Sequence, residues 1–250
     1  MSQAGKNDGV TLNNDYHTLF VTTLDEETKV IKPKRRQFRL YIDSFSENKN
    51  GLHKIYHELS KADADDEICL EISSNGGLVD ELLTLYNIVT NRFKGRSTSI
   101  LNNHGYSAGA MAFCMCSERI AYEYSELMFH DYSSVFYGKG GEIETRAVHY
   151  SKHLREFFES ILVVQKFLSQ DEFARMLIGQ DFWFGTLEMC KRGICTHVIK
   201  EGEKMTAEAY LAFKRGDVVV PAPEAAAETE AAETTEEPLA DVAPPPADVA

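Results

Sequence analysis

The sequence predicts an α/β protein with a mostly parallel sheet covered by helices, and three observations support this fold class. An apolar strand pattern at 67–73 ends in Ser-Asn-Gly-Gly, and apolar residues at helical spacing follow at 78–93. The same order recurs where a strand pattern at 96–102 precedes Ser107, its flanking glycines and a small, apolar helix. A third helical pattern, from about 142 to 168, is long enough to need a packing partner. Because parallel strands require long, usually helical connections, repeated strand–helix units indicate a parallel sheet.

The remaining elements follow in chain order from periodicity and from capping residues. Residues 16–24 and 28–32 have strand patterns and are predicted to form a hairpin across 25–27. The other predicted strands are 37–43, 119–122, 126–130 and 194–199. The other predicted helices are 51–62, 108–116, 169–180 with Ser169 as N-cap, a short one ending at Arg192 before Gly193, and 205–215.

Charge is unevenly distributed along the chain. The net charge is −13, and residues 221–250 hold eight acids and no base among Ala, Pro and Thr. Such a segment cannot bury enough apolar surface to offset its ordering entropy, so it is predicted to be a disordered tail. A basic cluster lies near the other end, comprising Lys32, Lys34, Arg35, Arg36 and Arg39. Without interleaved aromatics in an acidic protein, it favours a solvated face or an acidic partner over nucleic acid.

Cysteine usage and hydropathy exclude several classes of protein. The five cysteines are odd in number and lie in apolar contexts, which favours free thiols in a reducing cytoplasm. They lack zinc spacing, so we expect no metal and no cofactor. No apolar run is typical of a signal peptide or a membrane span, so a cytoplasmic protein without membrane contact is expected.

Ser107 is the candidate nucleophile. It lies between Gly105 and Gly109, where a strand pattern gives way to a helix. A serine on such a sharp turn has an exposed hydroxyl, and the first helical N–H groups can stabilise an oxyanion. A glycine-rich turn with an ordinary helix cap explains the same five residues equally well. The decision therefore depends on whether the chain supplies a base and an acid, for which His130 and Asp181 are the candidates at element ends.

Four motifs over residues 37–199 together resemble the proteolytic subunit of the Clp protease. The strand ending in Ser74-Asn75-Gly76-Gly77 resembles that family's Ser-Pro-Gly-Gly, and Ser107 follows about thirty residues later. Met128-Phe129-His130 is similar to its Met-Ile-His, and the stretch from Asp181 to Glu188 is similar to its acid motif. The resemblance implies a Clp/crotonase-like fold of repeated β–β–α units, in which the long helix is the family's handle.

The resemblance also implies roles for individual residues. Ser107 would attack the scissile carbonyl, His130 would take its proton, and Asp181 would orient the imidazole. The backbone N–H groups of Gly77 and Ala108 would bind the oxyanion. Polypeptide substrates, homo-oligomeric stacked rings and a hexameric ATPase unfoldase as partner are implied in the same way.

Some residues depart from the family pattern. Asp131 and Tyr132 stand where the family usually has Gln-Pro, and Tyr106 replaces a small residue before the serine, which would reshape the specificity pocket. Asp131 is a poor triad acid, because adjacent strand residues point to opposite faces. The N-terminal hairpin and the acidic tail do not match the family, so ATPase docking is the least supported implication. A divergent member is expected, with a viral origin left open.

Three other interpretations remain. Gly105-x-Ser107-x-Gly109 also fits an α/β-hydrolase-type esterase, with His197 as base and Asp171 or Asp181 as acid. The crotonase fold offers acyl-CoA binding, with Ser107 incidental, and an inactive ring scaffold of the same fold is the third.

The predicted organisation has five segments. They are a flexible N-terminus, a hairpin with the basic segment, the peptidase domain, a helix and strand extension, and the acidic tail, at 1–15, 16–36, 37–199, 200–220 and 221–250.

Overall fold

The computed structural model describes residues 16–24, 31–46 and 49–217, with side chains for 35–46 and 55–217. The predicted turn at 25–27, the N-terminus and the acidic tail lie outside the described residues. The strands are β1 (Tyr16–Leu24), β2 (Ile31–Ile42), β3 (Glu67–Ser74), β4 (Ser97–Tyr106), β5 (Glu118–Tyr122), β6 (Glu126–Phe129), β7 (Phe182–Gly185), β8 (His197–Lys200) and β9 (Glu203–Thr206). The helices are α1 (Lys49–Ser60), α2 (Val79–Arg92), α3 (Ala108–Cys114), α4 (Gly140–Leu162), α5 (Gln170–Met176), α6 (Thr186–Lys191) and α7 (Ala207–Arg215).

One mostly parallel sheet contains all the described strands, in the order β1-β2-β3-β4-β5-β8-β9, with β6 paired to β4 and β7 paired to β6. The strands β2, β3, β4, β5 and β8 run parallel, as do β4 and β6, whereas the pairs β1·β2, β6·β7 and β8·β9 are antiparallel. The predicted fold class is therefore confirmed. The predicted pairing of two N-terminal strands is also confirmed, although β2 begins at Ile31 and continues through the basic cluster.

Helix α3 lies at the centre of the core. All of its residues are buried, and it packs on β3 and β4 while α2 and α4 contact its other sides. Small side chains such as Ala108, Ala110 and Ala112 let the neighbouring elements approach closely. The position of α3 fixes the loop before it, which carries Ser107.

The basic cluster has intramolecular partners. Arginines of β2 pair with acids of β3 and of the loop before it, at Arg35–Glu67 2.7 Å, Arg36–Asp66 2.6 Å and Arg39–Glu71 2.9 Å. These three arginines therefore have acidic partners within the chain itself, while the side chains of Arg35 and Arg39 remain 39% and 40% exposed to solvent. The parallel register pairs Gln37 with Glu67 and Tyr41 with Glu71, so Arg35 and Arg39 each reach a glutamate that lies two positions along the neighbouring strand.

Helix α4 ends at Leu162, six residues before the predicted end. Beyond Val163 the chain turns at Lys166, whose φ is +64°, and the N–H groups of Phe167 and Leu168 both donate to the carbonyl of Leu162. Side chains are buried only in its C-terminal part, at Leu154, Phe157, Phe158, Ile161 and Leu162. The N-terminal half, from Gly140 to His153, has no buried side chain in this chain.

Candidate active site

Ser107 occupies a strained turn between β4 and α3. Its φ of +54° and ψ of −122° are unusual for a residue other than glycine, and such strain often accompanies a functional role. Its N–H donates to the carbonyl of Met128, at 3.0 Å, which fixes the turn against β6. Strand β4 continues to Tyr106, beyond its predicted end at 102, because Gly105 and Tyr106 pair with β6. The side chain of Ser107 is partly exposed.

The loop at Gly76 and Gly77 packs directly against this turn. A Cβ atom at Gly76 would lie 2.7 Å from the Cβ of Ser107 and 3.0 Å from the nitrogen of Ala108. A Cβ atom at Gly77 would lie 2.1 Å from the carbonyl oxygen of Phe45. Both residues have positive φ, of +97° and +138°, so only glycine fits without distortion.

Hydrogen bonds to Phe45 fix the position of this loop. The Phe45 N–H donates to the carbonyl of Gly76 at 2.9 Å, and the Leu78 N–H donates to the carbonyl of Phe45 at 2.6 Å. The N–H groups of Gly77 and Ala108, in contrast, have no hydrogen-bond acceptor among the described residues. Two free backbone donors therefore flank the Ser107 turn, an arrangement that can bind a negatively charged oxygen.

His130 follows β6, which is antiparallel to β7, and Phe129 pairs with Phe182 in that register. If this register is extended by one residue beyond the strand pair, His130 falls opposite Asp181. Directly opposed residues have Cβ atoms about 5 Å apart on the same face of a sheet. No hydrogen bond joins His130 to Ser107 or Asp181 in the described part of the chain, and the Asp181 side chain is exposed.

Ser107 and His130 line one pocket, whose other walls are almost entirely apolar. Those walls are Val79, Leu82, Ala108, Met111, Phe129, Tyr132, Phe158, Leu162 and Met176. Asp181 is not among the lining residues. The pocket therefore places an apolar surface next to the serine and the histidine. The sequence analysis did not identify Phe158, Leu162 and Met176 as lining residues. Phe158 and Leu162 lie on helix α4, but nothing in the sequence indicates which face of that helix lies next to the serine.

Tyr106 is not among the residues that line this pocket, and its side chain has other contacts. Its hydroxyl donates to the Glu126 carboxylate, and this bond raises the pKa of Tyr106. Its ring packs edge-on against Trp183, with 5.2 Å between centroids. The neighbouring departure, Asp131, accepts the N–H of Tyr132 at 2.9 Å, and burial raises the pKa of its carboxyl group.

His197 lies too far from Ser107 to act as its base. It is on β8 opposite Ile120, which in turn pairs with Ile100 of β4. Ile100 precedes Ser107 by seven residues, which corresponds to roughly 20 Å along a strand. His197 instead lies 3.4 Å from a carboxylate oxygen of Glu118. The geometry therefore contradicts the esterase interpretation with His197.

Within the described ranges, no three or more His, Cys, Asp and Glu side chains come close enough together to hold a metal ion. No described helix combines the length and the apolar character that a membrane span requires.

Comparison with known protein families gives a match. The family profile described as Clp protease matches residues 34–202, which is more than half of the chain. No curated protein matches the sequence. The matched region begins within β2 and includes the Gly76–Gly77 loop, Ser107, His130 and Asp181. With this match and the mixed α/β fold, the chain belongs to the Clp protease family.

Proposed function

We propose that the protein is a serine endopeptidase that hydrolyses polypeptides through Ser107, His130 and Asp181. The observation that carries the proposal is the pocket shared by Ser107 and His130 beside the two free N–H donors. The register that faces His130 with Asp181 supports the third role. Catalytic hydrogen bonds are often long before substrate binds, so their absence here is compatible with these roles.

The proposed reaction proceeds in two stages. The hydroxyl oxygen of Ser107 attacks the scissile carbonyl while an imidazole nitrogen of His130 accepts the hydroxyl proton. The N–H groups of Gly77 and Ala108 bind the oxyanion, and each such donor lowers the barrier by about 3 kcal/mol. His130 then donates the proton to the leaving amine, and water hydrolyses the acyl-enzyme by the reverse sequence. Asp181 holds the imidazole in the required tautomer and stabilises the imidazolium.

The apolar pocket supports substrates with an apolar residue before the scissile bond. The exposed N-terminal half of α4 supports a homo-oligomer in which this helix interlocks two rings. Val148, for example, is 66% exposed in the single chain. Stacked rings would enclose the serines in a chamber, and folded substrates would then need a hexameric ATPase unfoldase as partner.

Covalent labelling with a fluorophosphonate probe tests the nucleophile. We expect wild type to be labelled, Ser107→Ala to be unlabelled, and His130→Ala and Asp181→Asn to be labelled at least a hundredfold more slowly. Three variants serve as matched controls and should label like wild type. They are Ser134→Ala, at an exposed serine in the loop that follows His130, Asp171→Asn on α5, and His197→Ala.

The outcomes separate the proposal from its alternatives. An assembled wild type that takes up no probe, even with peptide present, would indicate the inactive ring scaffold. Labelling that persists in Ser107→Ala would exclude Ser107 as the nucleophile, and labelling that depends on His197 would restore the esterase interpretation.

A further inference from the structure

Two cysteine side chains meet outside the proposed active site. Cys190 lies in the last turn of α6, and Cys195 follows the turn at Gly193. Their sulfur atoms are 3.2 Å apart, and both residues are buried, with 5% and 1% of their surface exposed. Neither residue lines the pocket that holds Ser107 and His130. Both are free thiols.

The backbone around the pair is fixed on both sides, so the sulfurs have little freedom to separate. The N–H of Ile194 donates to the carbonyl of Met189 at 2.8 Å, which closes the end of α6. The guanidinium of Arg119 donates to the carbonyl of Ile194 at 2.5 Å and to that of Gly193 at 3.2 Å. Joining the two sulfurs requires them to approach by about 1 Å, to the normal disulfide length of about 2 Å. Side-chain rotation can supply that movement.

The protonation of the pair distinguishes it from the other thiols. A hydrogen bond joins the two sulfurs, and it lowers the pKa of Cys190 and raises that of Cys195. Burial raises the pKa of Cys69 to about 11, and those of Cys114 and Cys116 to about 12. Since the thiolate is the nucleophile, the lowered pKa favours Cys190 as the attacking sulfur of the pair.

We propose that Cys190 and Cys195 form a redox-active dithiol that peroxide oxidises to an intramolecular disulfide. The thiolate of Cys190 attacks one oxygen of hydrogen peroxide, the O–O bond breaks, and the leaving hydroxide takes up a proton to become water. The sulfur of Cys195 then attacks the resulting sulfenic sulfur, the S–O bond breaks, and a second water leaves with the proton of Cys195. Two thiols are oxidised and one peroxide is reduced to two waters. Peroxide is small enough to reach a buried pair through local opening. The proposal does not depend on the peptidase function.

Thiol counting on the full-length protein tests the proposal. The protein is treated with hydrogen peroxide, denatured and alkylated with N-ethylmaleimide, and its intact mass is measured. We expect a loss of two hydrogens per chain, alkylation of three of the five cysteines, and full reversal by dithiothreitol. Peptide mapping should assign the cross-link to Cys190 and Cys195, formed at least about tenfold faster than oxidation of any other thiol.

Variants separate the pair from the rest of the chain. Cys195→Ser should accumulate a sulfenic acid at Cys190 that dimedone traps, whereas Cys114→Ser, also buried, should form the cross-link as wild type does. Five alkylated cysteines after peroxide treatment, equal oxidation of Cys69, Cys114 and Cys116, or a disulfide between chains would each overturn the proposal. The wild-type measurement decides the matter even if a variant fails to fold.

Discussion

Substituting Gly77 by alanine should affect catalysis and stability through one identifiable contact. The new Cβ atom would lie 2.1 Å from the carbonyl oxygen of Phe45, whereas ordinary contacts begin near 3.4 Å. The loop must therefore move by about 1 Å, against the two hydrogen bonds that join it to Phe45. Losing both bonds costs about 2 kcal/mol. A φ of +138° adds about 1–3 kcal/mol for a residue with a side chain. We expect Gly77→Ala to lower the free energy of unfolding by about 3–5 kcal/mol.

The same displacement should lower the rate of hydrolysis. A movement of about 1 Å takes the Gly77 N–H out of hydrogen-bond distance of the oxyanion. Loss of one oxyanion donor typically lowers kcat by about 10²- to 10³-fold. The assay is the hydrolysis of a fluorogenic peptide with an apolar residue before the scissile bond. It is run at low temperature, where circular dichroism verifies that the variant is folded.

Gly95→Ala is the matched control, because it separates backbone strain from displacement of the loop. Gly95 also has positive φ, at +74°, but a Cβ atom there meets nothing within 4 Å. It should therefore cost about 1 kcal/mol of stability and leave kcat unchanged. A folded Gly77→Ala protein with the kcat of wild type would refute the assignment of its N–H as an oxyanion donor.

Three further predictions concern stability, specificity and assembly. Hydrogen bonds from Arg192 lower the pKa of Glu172 to about 2, so the pair stabilises the folded state above the ordinary pKa of a glutamate. In urea unfolding at pH 7, Glu172→Gln should lower the free energy of unfolding by about 1–2 kcal/mol, after allowance for solvent screening. This difference from wild type should vanish as the pH falls from about 5 to about 2. Met176→Ala should enlarge the apolar pocket and shift the preference of peptide hydrolysis toward larger apolar residues. It should also lower the free energy of unfolding by about 2–5 kcal/mol. An unchanged preference would exclude this pocket as the specificity site. Val148→Asp, in the exposed half of α4, should lower the mass of the assembly measured by light scattering. Val164 is 72% exposed and lies beyond the end of that helix, so Val164→Asp should leave the mass unchanged. Equal effects of the two substitutions would contradict assembly through α4.

Periodicity was sufficient to predict most elements, because their side chains have clear inward and outward faces. Helix α2 illustrates this, since Leu82, Leu85 and Val89 are buried at the spacing of the sequence pattern. A strand was predicted within the extension at 200–220, but the sequence did not locate it at β9, because Glu203–Thr206 is short, polar and mostly exposed and pairs with β8. The end of α4 was also missed, since the apolar pattern continues to Leu168 although the backbone reverses at Lys166.

The partners of charged residues were beyond sequence reasoning for a different reason. Arg35 and Glu67 are more than thirty residues apart, and only the parallel register of β2 and β3 brings them within 2.7 Å. A run of basic residues looks the same in sequence whether its partners are in the same chain or in another molecule. The register between the strands, rather than the basic cluster itself, determines whether the partners lie in the same chain or in another molecule.

The geometry of the candidate site follows from a branch in the sheet at β4. The first half of that strand pairs with β5 through residues 98–101, and its last residues, His104 to Tyr106, pair with β6. Because of this division, the sheet continues from β5 to β8, which places His197 far from the serine. The β6·β7 branch instead ends beside Ser107, with His130 and Asp181 at its tip. Both strands after α3 are short and apolar in sequence, so nothing local distinguishes the one that carries the candidate base. The motif order suggested His130, and the branch gives a physical reason why His130, rather than His197, lines a pocket with the serine.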